Sequence, residues 1–355
     1  MEFSKHYKWN KDKPPEGQPR ESPVQPGKLP VDIKKDAPGP KETMGFAEVM
    51  NPGALKEGDI FAGYMEMVEF TEEILEKIKN GQPINGVEIA ERTRRLMEEV
   101  MLGGKFFIGF FFEDTEEESK ARHLVNTTIL ALLVGIELGY NKSRLMEIAV
   151  GALLHDIGLI KLIPLTKLAK KLTRSEYEEI KKHPLYGLEA LKRLGEFSEE
   201  VTRIAHEHHE RLDGSGYPRG LKNGHIHEDA LLVGIIDMFE AMTHTRPYRK
   251  KMSAYDALKE IINTGAHCLE PRYVEALVRC IGLYSLGSWV ELSTGEIGKV
   301  IETNKTSPLR PTVTVIYNSH GQKLTEGKII DLSRQPVIYI RRVLSDEELA
   351  AKIST

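Results

Sequence analysis

GALLHDIG at 151–158, KHP at 182–184 and AHEHHERLDGSGYPRGL at 205–221 are the stretches on which the reading of this chain turns. His155 is followed directly by Asp156, and His208 by His209, with His183 between the two pairs. Neutral imidazole suits first-row transition metals, and a carboxylate has two oxygens with which to bridge a pair of them. Any one of these histidines alone would be a packed or surface residue. Together, at the ends of helical patterns, they read as ligands.

Helical periodicity surrounds them. Thr71 reads as an N-cap followed by Glu72 and Glu73, with Gly81 and Pro83 ending that helix. A second helix runs from Val87 to Leu102 and breaks at Gly103-Gly104, and the apolar run Phe106 to Phe112 reads as a buried helix. Ser119 to Gly139 is a long helix carrying His123. Ser143 caps the next, which delivers His155 and Asp156 at its C-terminal end, where Gly158 closes the turn. Capping-box spacing starts another near Ser175 that runs to His183. Leu185–Leu194, Glu199–His209, Ala230–Thr243, Ala254–Asn263 and Pro271–Ile281 complete the helices. Asp237 lies among Leu232, Val233, Ile235, Ile236 and Met238, where a carboxylate is costly unless paired or metal-bound. After Tyr284 the period changes to two. Trp289–Leu292, Ile297–Ile301, Thr312–Tyr317 and Val337–Ile340 read as strands, separated by turns at Gly295, Ser319-His-Gly and Glu326-Gly, with a short helix from Ser345.

The expected fold is therefore mainly α: a helical bundle with an N-terminal helical region and a small C-terminal β-barrel-like domain, SH3-like in character. The expected divisions are a disordered tail over 1–43, a mostly helical module over 44–114, a catalytic domain over 115–283 and a β-domain over 284–355. The 355 residues suffice for two or three domains. The tail is rich in Pro, Lys, Glu and Gly and short of large apolar groups. It has no apolar core of a signal peptide, and the longest apolar candidate, Thr128 to Gly139, is too short to span a bilayer. Cys268 and Cys280 read as reduced thiols, which places the protein in the cytoplasm with no membrane span. A net charge of −4 argues against a duplex nucleic-acid partner.

His123, His155, Asp156, His183, His208, His209 and Asp237 lie on several helices that can converge in a bundle core. Seven N and O donors without thiolate suit two divalent ions with open positions. Water held between two such ions becomes hydroxide near neutral pH and can attack phosphorus in line. His206, His225, His227, His244, His267 and His320 read as ordinary histidines.

The set of His123, HDIG at 155–158, His183-Pro184, HHERLDGSGYPRGL at 208–221, and Asp237 with Arg246-Pro-Tyr-Arg249 resembles the HD-GYP phosphodiesterases, a branch of the HD-domain phosphohydrolases. The resemblance covers Ser119 to Leu283. It implies hydrolysis of cyclic di-GMP to the linear dinucleotide, and in some members to GMP. It also implies that those seven residues hold two divalent transition-metal ions, iron or manganese. Gly216, Tyr217 and Pro218 would be the signature loop, which in the family also meets GGDEF-domain partners, and an oligomer is compatible. Arg246 and Arg249 would meet phosphate or guanine, since a guanidinium fork binds phosphate and stacks on bases. Two positions depart from the family. Leu159 stands where members carry a lysine after HDIG, leaving Lys161 as the nearest substitute and, beside Asp156, a candidate catalytic residue. Ser119 stands where members with three metals carry a glutamate, which favours two. The alternatives are a receptor that binds cyclic di-GMP without cleaving it, favoured by Leu159, and a hydrolase of another cyclic dinucleotide.

Overall fold

Short polar side chains set the helix starts. Ser119 Oγ accepts from Arg122 N at 3.2 Å, Asn141 Oδ1 from Arg144 N at 3.0 Å, and Ser198 Oγ from Val201 N at 3.3 Å. Each satisfies an amide that the first helical turn leaves without a carbonyl. A full capping box joins Thr173 and Glu176, whose side chains each accept from the other's backbone N–H. The caps expected at Ser143 and near Ser175 thus lie two residues earlier, at Asn141 and Thr173, because both displaced candidates fall inside the first helical turn. The computed structural model describes residues 57–111, 119–166, 173–194, 197–244, 252–265, 267–304 and 307–353, apart from single positions 283, 285 and 308. The expected tail, the turn at 50–53, Phe112, Arg246 and Arg249 lie outside these residues.

The helices are α1 (Glu57–Lys79), α2 (Gly86–Phe111), α3 (Lys120–Glu137), α4 (Lys142–Leu154), α5 (Ile163–Thr166), α6 (Arg174–Ile180), α7 (His183–Leu194), α8 (Glu199–Glu207), α9 (Glu228–Thr243), α10 (Ala254–Gly265) and α11 (Pro271–Ile281). A 3-10 segment, Ile157–Leu162, links α4 to α5. Two expectations about α1 fail. Lys56-Glu-Gly-Asp59 is not a turn through its last three residues, which open α1. Thr71 is no N-cap: it sits inside α1 and turns its hydroxyl back on Met67 O at 2.7 Å. That back-bond lets a threonine sit in a helix interior. The Phe-rich run continues α2 as far as Phe111, across a kink at Gly103 where φ is −127° and ψ is 22°.

Helix α3 is the axis of the bundle, buried almost continuously from Ala121 to Gly135, and α1, α2, α4, α9 and α11 pack around it. Ile60, Tyr64, Met67, Ile89 and Met97 from α1 and α2 belong to one apolar core with Leu124, Leu130, Ile148, Leu153, Ile236 and Leu277. The N-terminal helices therefore share the interior of the helices that carry the site. The run Lys142–Leu165 has the length and composition of a membrane-crossing helix, but 67% of its apolar window is buried in this core, and it breaks at His155.

The C-terminal strands β1 (Trp289–Leu292), β2 (Ile297–Glu302), β3 (Thr312–Tyr317), β4 (Lys323–Asp331) and β5 (Ile340–Leu344) form one antiparallel sheet in the order β4-β3-β2-β1-β5. The sheet does not close, so β4 and β5 are edges. Val290, Leu292, Val300, Val313, Val315 and Ile330 fill its inner face, and α12 (Asp346–Ile353) lays Leu349 against Ile297 and Leu344. The expected strand at Val337–Ile340 begins only at Ile340. The expected turn at Glu326-Gly lies inside β4, where the residues from Thr325 to Ile329 are all exposed and give no alternation to read. Tyr255 of α10 stacks on Tyr284 at 5.4 Å, 9° from parallel, and joins the sheet to the helical body.

Candidate metal centre

Four helix ends and one helix middle converge on the site. His123 projects from the first turn of α3, His155 caps the C-terminus of α4 with Asp156 next, and His183 opens α7. His208 caps α8 with His209 following, and Asp237 lies inside α9. The donor atoms fall into two groups, each within 4.8 Å of one another: Asp156, His183, His208 and His209 in one, and His123, His155 and Asp237 in the other. All seven residues expected as ligands are thus brought together.

Backbone contact holds these elements at close range. A Cβ on Gly158 would lie 2.0 Å from His183 O and 2.5 Å from Gly187 N, so only glycine lets the 3-10 segment touch the start of α7. A Cβ on Gly234 would lie 2.0 Å from His208 O, so α9 and the end of α8 meet in the same way.

Carbonyls fix the imidazole tautomers. His155 Nδ1 donates to Ala152 O at 2.7 Å, His183 Nδ1 to Ile180 O at 2.9 Å, and His208 Nδ1 to Ala205 O at 3.0 Å. A carbonyl only accepts, so each proton sits on Nδ1 and each Nε2 carries a lone pair. His183 Nε2 and His208 Nε2 then face each other at 3.3 Å, lone pair towards lone pair. His155 Nε2 and Asp156 Oδ1 are buried without a hydrogen-bond partner. Buried acceptors aimed at one another are costly unless a cation stands among them. The residues present therefore fit a metal, and the absence of thiolate points to a first-row or similar divalent ion.

Asp156 lies between the two groups. Its Oδ1 is 3.0 Å from His183 Nε2 and 3.7 Å from His208 Nε2; its Oδ2 is 3.7 Å from both His123 Nε2 and His155 Nε2. Asp237 Oδ1 is 3.2 Å from His123 Nε2 and 3.7 Å from His155 Nε2. Burial works against charge on both carboxylates. Lys120 beside Asp156, and the hydrogen bond from His123 to Asp237, nevertheless hold both well below the usual carboxylate range. Burial pushes His208 down to about 4 and, with His208 and His183 as neighbours, pushes His209 well below the usual imidazole range. Burial also opposes charge on His123, but Glu240 at Nδ1 with Asp156 and Asp237 at Nε2 overcomes it and raises His123 to about 10.

The signature loop lies beside the site. Tyr217 stacks on His209 at 4.6 Å and 30°, and its N–H donates to His209 O. Gly216 and Pro218 flank it, half-buried. Glu210, fully buried, accepts from Arg219 N at 2.7 Å and Leu221 N at 2.8 Å, while Glu207 accepts from the Arg219 side chain and His227 N, both at 2.7 Å. The loop is thereby tied to the helix end that bears the His pair.

Lys161 is not at the site. Its Nζ pairs with Glu189 at 3.1 Å and lies over the Tyr186 ring, with both ends of the ion pair about half exposed. The cation beside Asp156 is Lys120, whose Nζ bonds Oδ2. Lys120, Glu240, Asn126, Glu207 and Glu210 did not stand out in the sequence. The available signal was spacing: Lys120 is three residues before His123 and Glu240 three after Asp237, which puts each on the ligand's face of its helix.

Residues 111–272 match the family described as HD domain, and residues 289–352 the one described as KOW domain associated with HD domain. A protein named cyclic di-GMP phosphodiesterase PA4108, from Pseudomonas aeruginosa, is 28% identical over 255 residues, covering 72% of this chain and 61% of that protein. A protein named 3′3′-cGAMP-specific phosphodiesterase 1, from Vibrio cholerae, is 36% identical over 43% of this chain and 35% of that protein. The chain thus spans between 35% and 61% of the length of these relatives. Among solved structures, Bd1817, an HDG"Y"P protein from Bdellovibrio bacteriovorus, superposes with a TM-score of 0.54 at 18% identity, covering 64% of this chain and 72% of that one, a likeness of fold. The His–Asp pair, the His pair and the Gly-Tyr-Pro loop, gathered on one site, all lie within the stretch that matches the HD-domain family.

Proposed function

We propose that this protein is a metal-dependent phosphodiesterase that opens cyclic di-GMP to the linear dinucleotide. The observation that carries this reading is the position of Asp156, with one carboxylate oxygen turned to each of two donor groups. Two groups bridged in this way suit a pair of divalent ions, and iron and manganese match the donors equally. When bound, such ions acidify water and stabilise charge on phosphate oxygens. The chain's own residues supply the rest. His155, His183 and His208 present unprotonated Nε2 atoms, locked by carbonyls on Nδ1. Tyr217 orients His209, and Asp237 with Asp156 sets the negative charge of the site. In the reaction the water oxygen joins phosphorus, the bond from phosphorus to the ribose 3′ oxygen breaks, and that oxygen leaves with a proton. Arg246 and Arg249 are proposed to meet the nucleotide.

A second reading, a receptor that binds the same ligand without cleaving it, is favoured by Leu159 and by the outward turn of Lys161. One experiment separates the two: anaerobic purification, metal analysis and cyclic di-GMP turnover on the same sample. About two metals per chain with turnover, both lost in His155→Ala and Asp156→Ala, is the expected result. Tight binding by fully metal-loaded protein without turnover would establish the receptor instead.

A further inference from the structure

Lys120 occupies a position that the metal ligands alone do not explain. It lies in the first turn of α3, three residues before His123, and its ammonium bonds Asp156 Oδ2. Its side chain is 30% exposed, whereas that of Asp156 is 8% exposed, so the lysine stands at the rim and the carboxylate beneath it. An ammonium has three hydrogens to donate, and Asp156 is the acceptor its Nζ meets in the structure. Neighbouring cations are engaged elsewhere: Arg122 turns to Met65 and Tyr64, Lys161 to Glu189, and Lys181 to Glu178.

The two buried carboxylates at this site make it hostile to an incoming phosphate unless positive charge faces it. Bound divalent ions supply part of that charge from within. Lys120 supplies it from the solvent side, on a flexible stem long enough to swing from Asp156 Oδ2 to a neighbouring oxygen. We propose that Lys120 is a catalytic residue that binds a non-bridging oxygen of the scissile phosphate, so that α3 provides the cation that the loop from His155 to Lys161 does not. This inference rests on the phosphodiesterase reading.

The test uses full-length, metal-loaded protein and the phosphorothioate analogue of cyclic di-GMP, which resists hydrolysis. Lys120→Met keeps the length of the side chain and removes its charge. Lys120→Arg restores the charge. Metal content is expected to be the same in all three proteins. Affinity for the analogue falls about tenfold or more in the Met variant and recovers most of that loss in the Arg variant. Turnover of cyclic di-GMP falls further than affinity. Equal affinity for the analogue in wild type and Lys120→Met overturns the inference, as does a Met variant that merely gains metal, for then the lysine is only a counter-ion of Asp156. Absence of analogue binding in the metal-loaded wild type would instead sink the phosphodiesterase reading, and this inference with it.

Discussion

Asn126 Nδ2 donates to Glu240 Oε1 at 3.3 Å, across 114 residues of chain. The pair is the middle of a buried relay. Tyr64 OH of α1 donates to Asn126 Oδ1 at 3.0 Å, and the other oxygen of Glu240 holds His123 Nδ1. An N-terminal helix with no residue in either donor group thereby sets the orientation of one of their imidazoles. Asn126→Leu removes a donor from a fully buried carboxylate and is expected to cost about 1–3 kcal/mol of stability. Groups that hold metal-ligating imidazoles typically affect metal affinity by about 10–100-fold. Urea denaturation and metal titration on the same variant check both numbers. Tyr64→Phe, which loses only the outermost link, should cost about 0.5–1.5 kcal/mol. A larger effect from Tyr64→Phe than from Asn126→Leu would contradict the relay.

Gly234→Ala tests the backbone contact beneath His208. The new methyl would sit on the His208 carbonyl and push α9 from the end of α8. Overpacking of this kind costs about 1–3 kcal/mol, and the shift displaces a ligand. Lower metal content with a retained helical circular dichroism spectrum is the expected outcome. Full metal loading would mean that the two helices have slack at this point.

Lys161→Ala should be silent. The pair with Glu189 is exposed at both ends, and such pairs contribute between about 0 and 1 kcal/mol. Turnover is expected to stay within about twofold of wild type, and the unfolding midpoint to move little. A large fall in turnover would return Lys161 to the mechanism and count against Lys120.

Metal-free protein, stripped with a chelator, should be most stable near neutral pH. His208, at about 4 when folded, and His209, held well below its usual range, bind fewer protons folded than unfolded, where a histidine titrates near about 6.5. Their contribution is present above that value and is lost as pH falls towards 4. His123 runs the other way. Raised to about 10, it contributes stability below its unfolded value that is lost as pH rises towards 10. Denaturant midpoints across pH should therefore trace a dome with its top between these limbs. A midpoint still climbing on the alkaline side would show that His123 is neutral in the folded metal-free protein.

The seven candidate ligands were legible because each stood near another signal: His155 beside Asp156, His208 beside His209, His183 before a proline, Asp237 in an apolar helix, and His123 on the helical pattern upstream of the His–Asp pair. Their second contacts were not. Asn126 and Glu240 are polar residues in helices, and only the tertiary crossing of α3 and α9 tells them from solvated ones. Lys161 was chosen by nearness in sequence to Asp156, but the 3-10 segment turns it outward, and Lys120 comes near only through the packing of α3 on α4. Thr71 was misread for a local reason. Thr-Glu-Glu looks the same at a helix start as inside a helix where the hydroxyl bonds back on the preceding turn. Strand β4 was missed because an exposed strand carries no apolar alternation to reveal it.

The apolar core that α1 and α2 share with α3 bears on how the protein can be cut. The match to the HD domain begins at residue 111, the last residue of α2. A fragment started there would uncover the side of α3 on which α1 and α2 pack, including Leu133 beside Gly104, and would lose Tyr64 from the relay. A fragment meant to keep this core whole therefore begins before Ile60 and is longer than the matched domain.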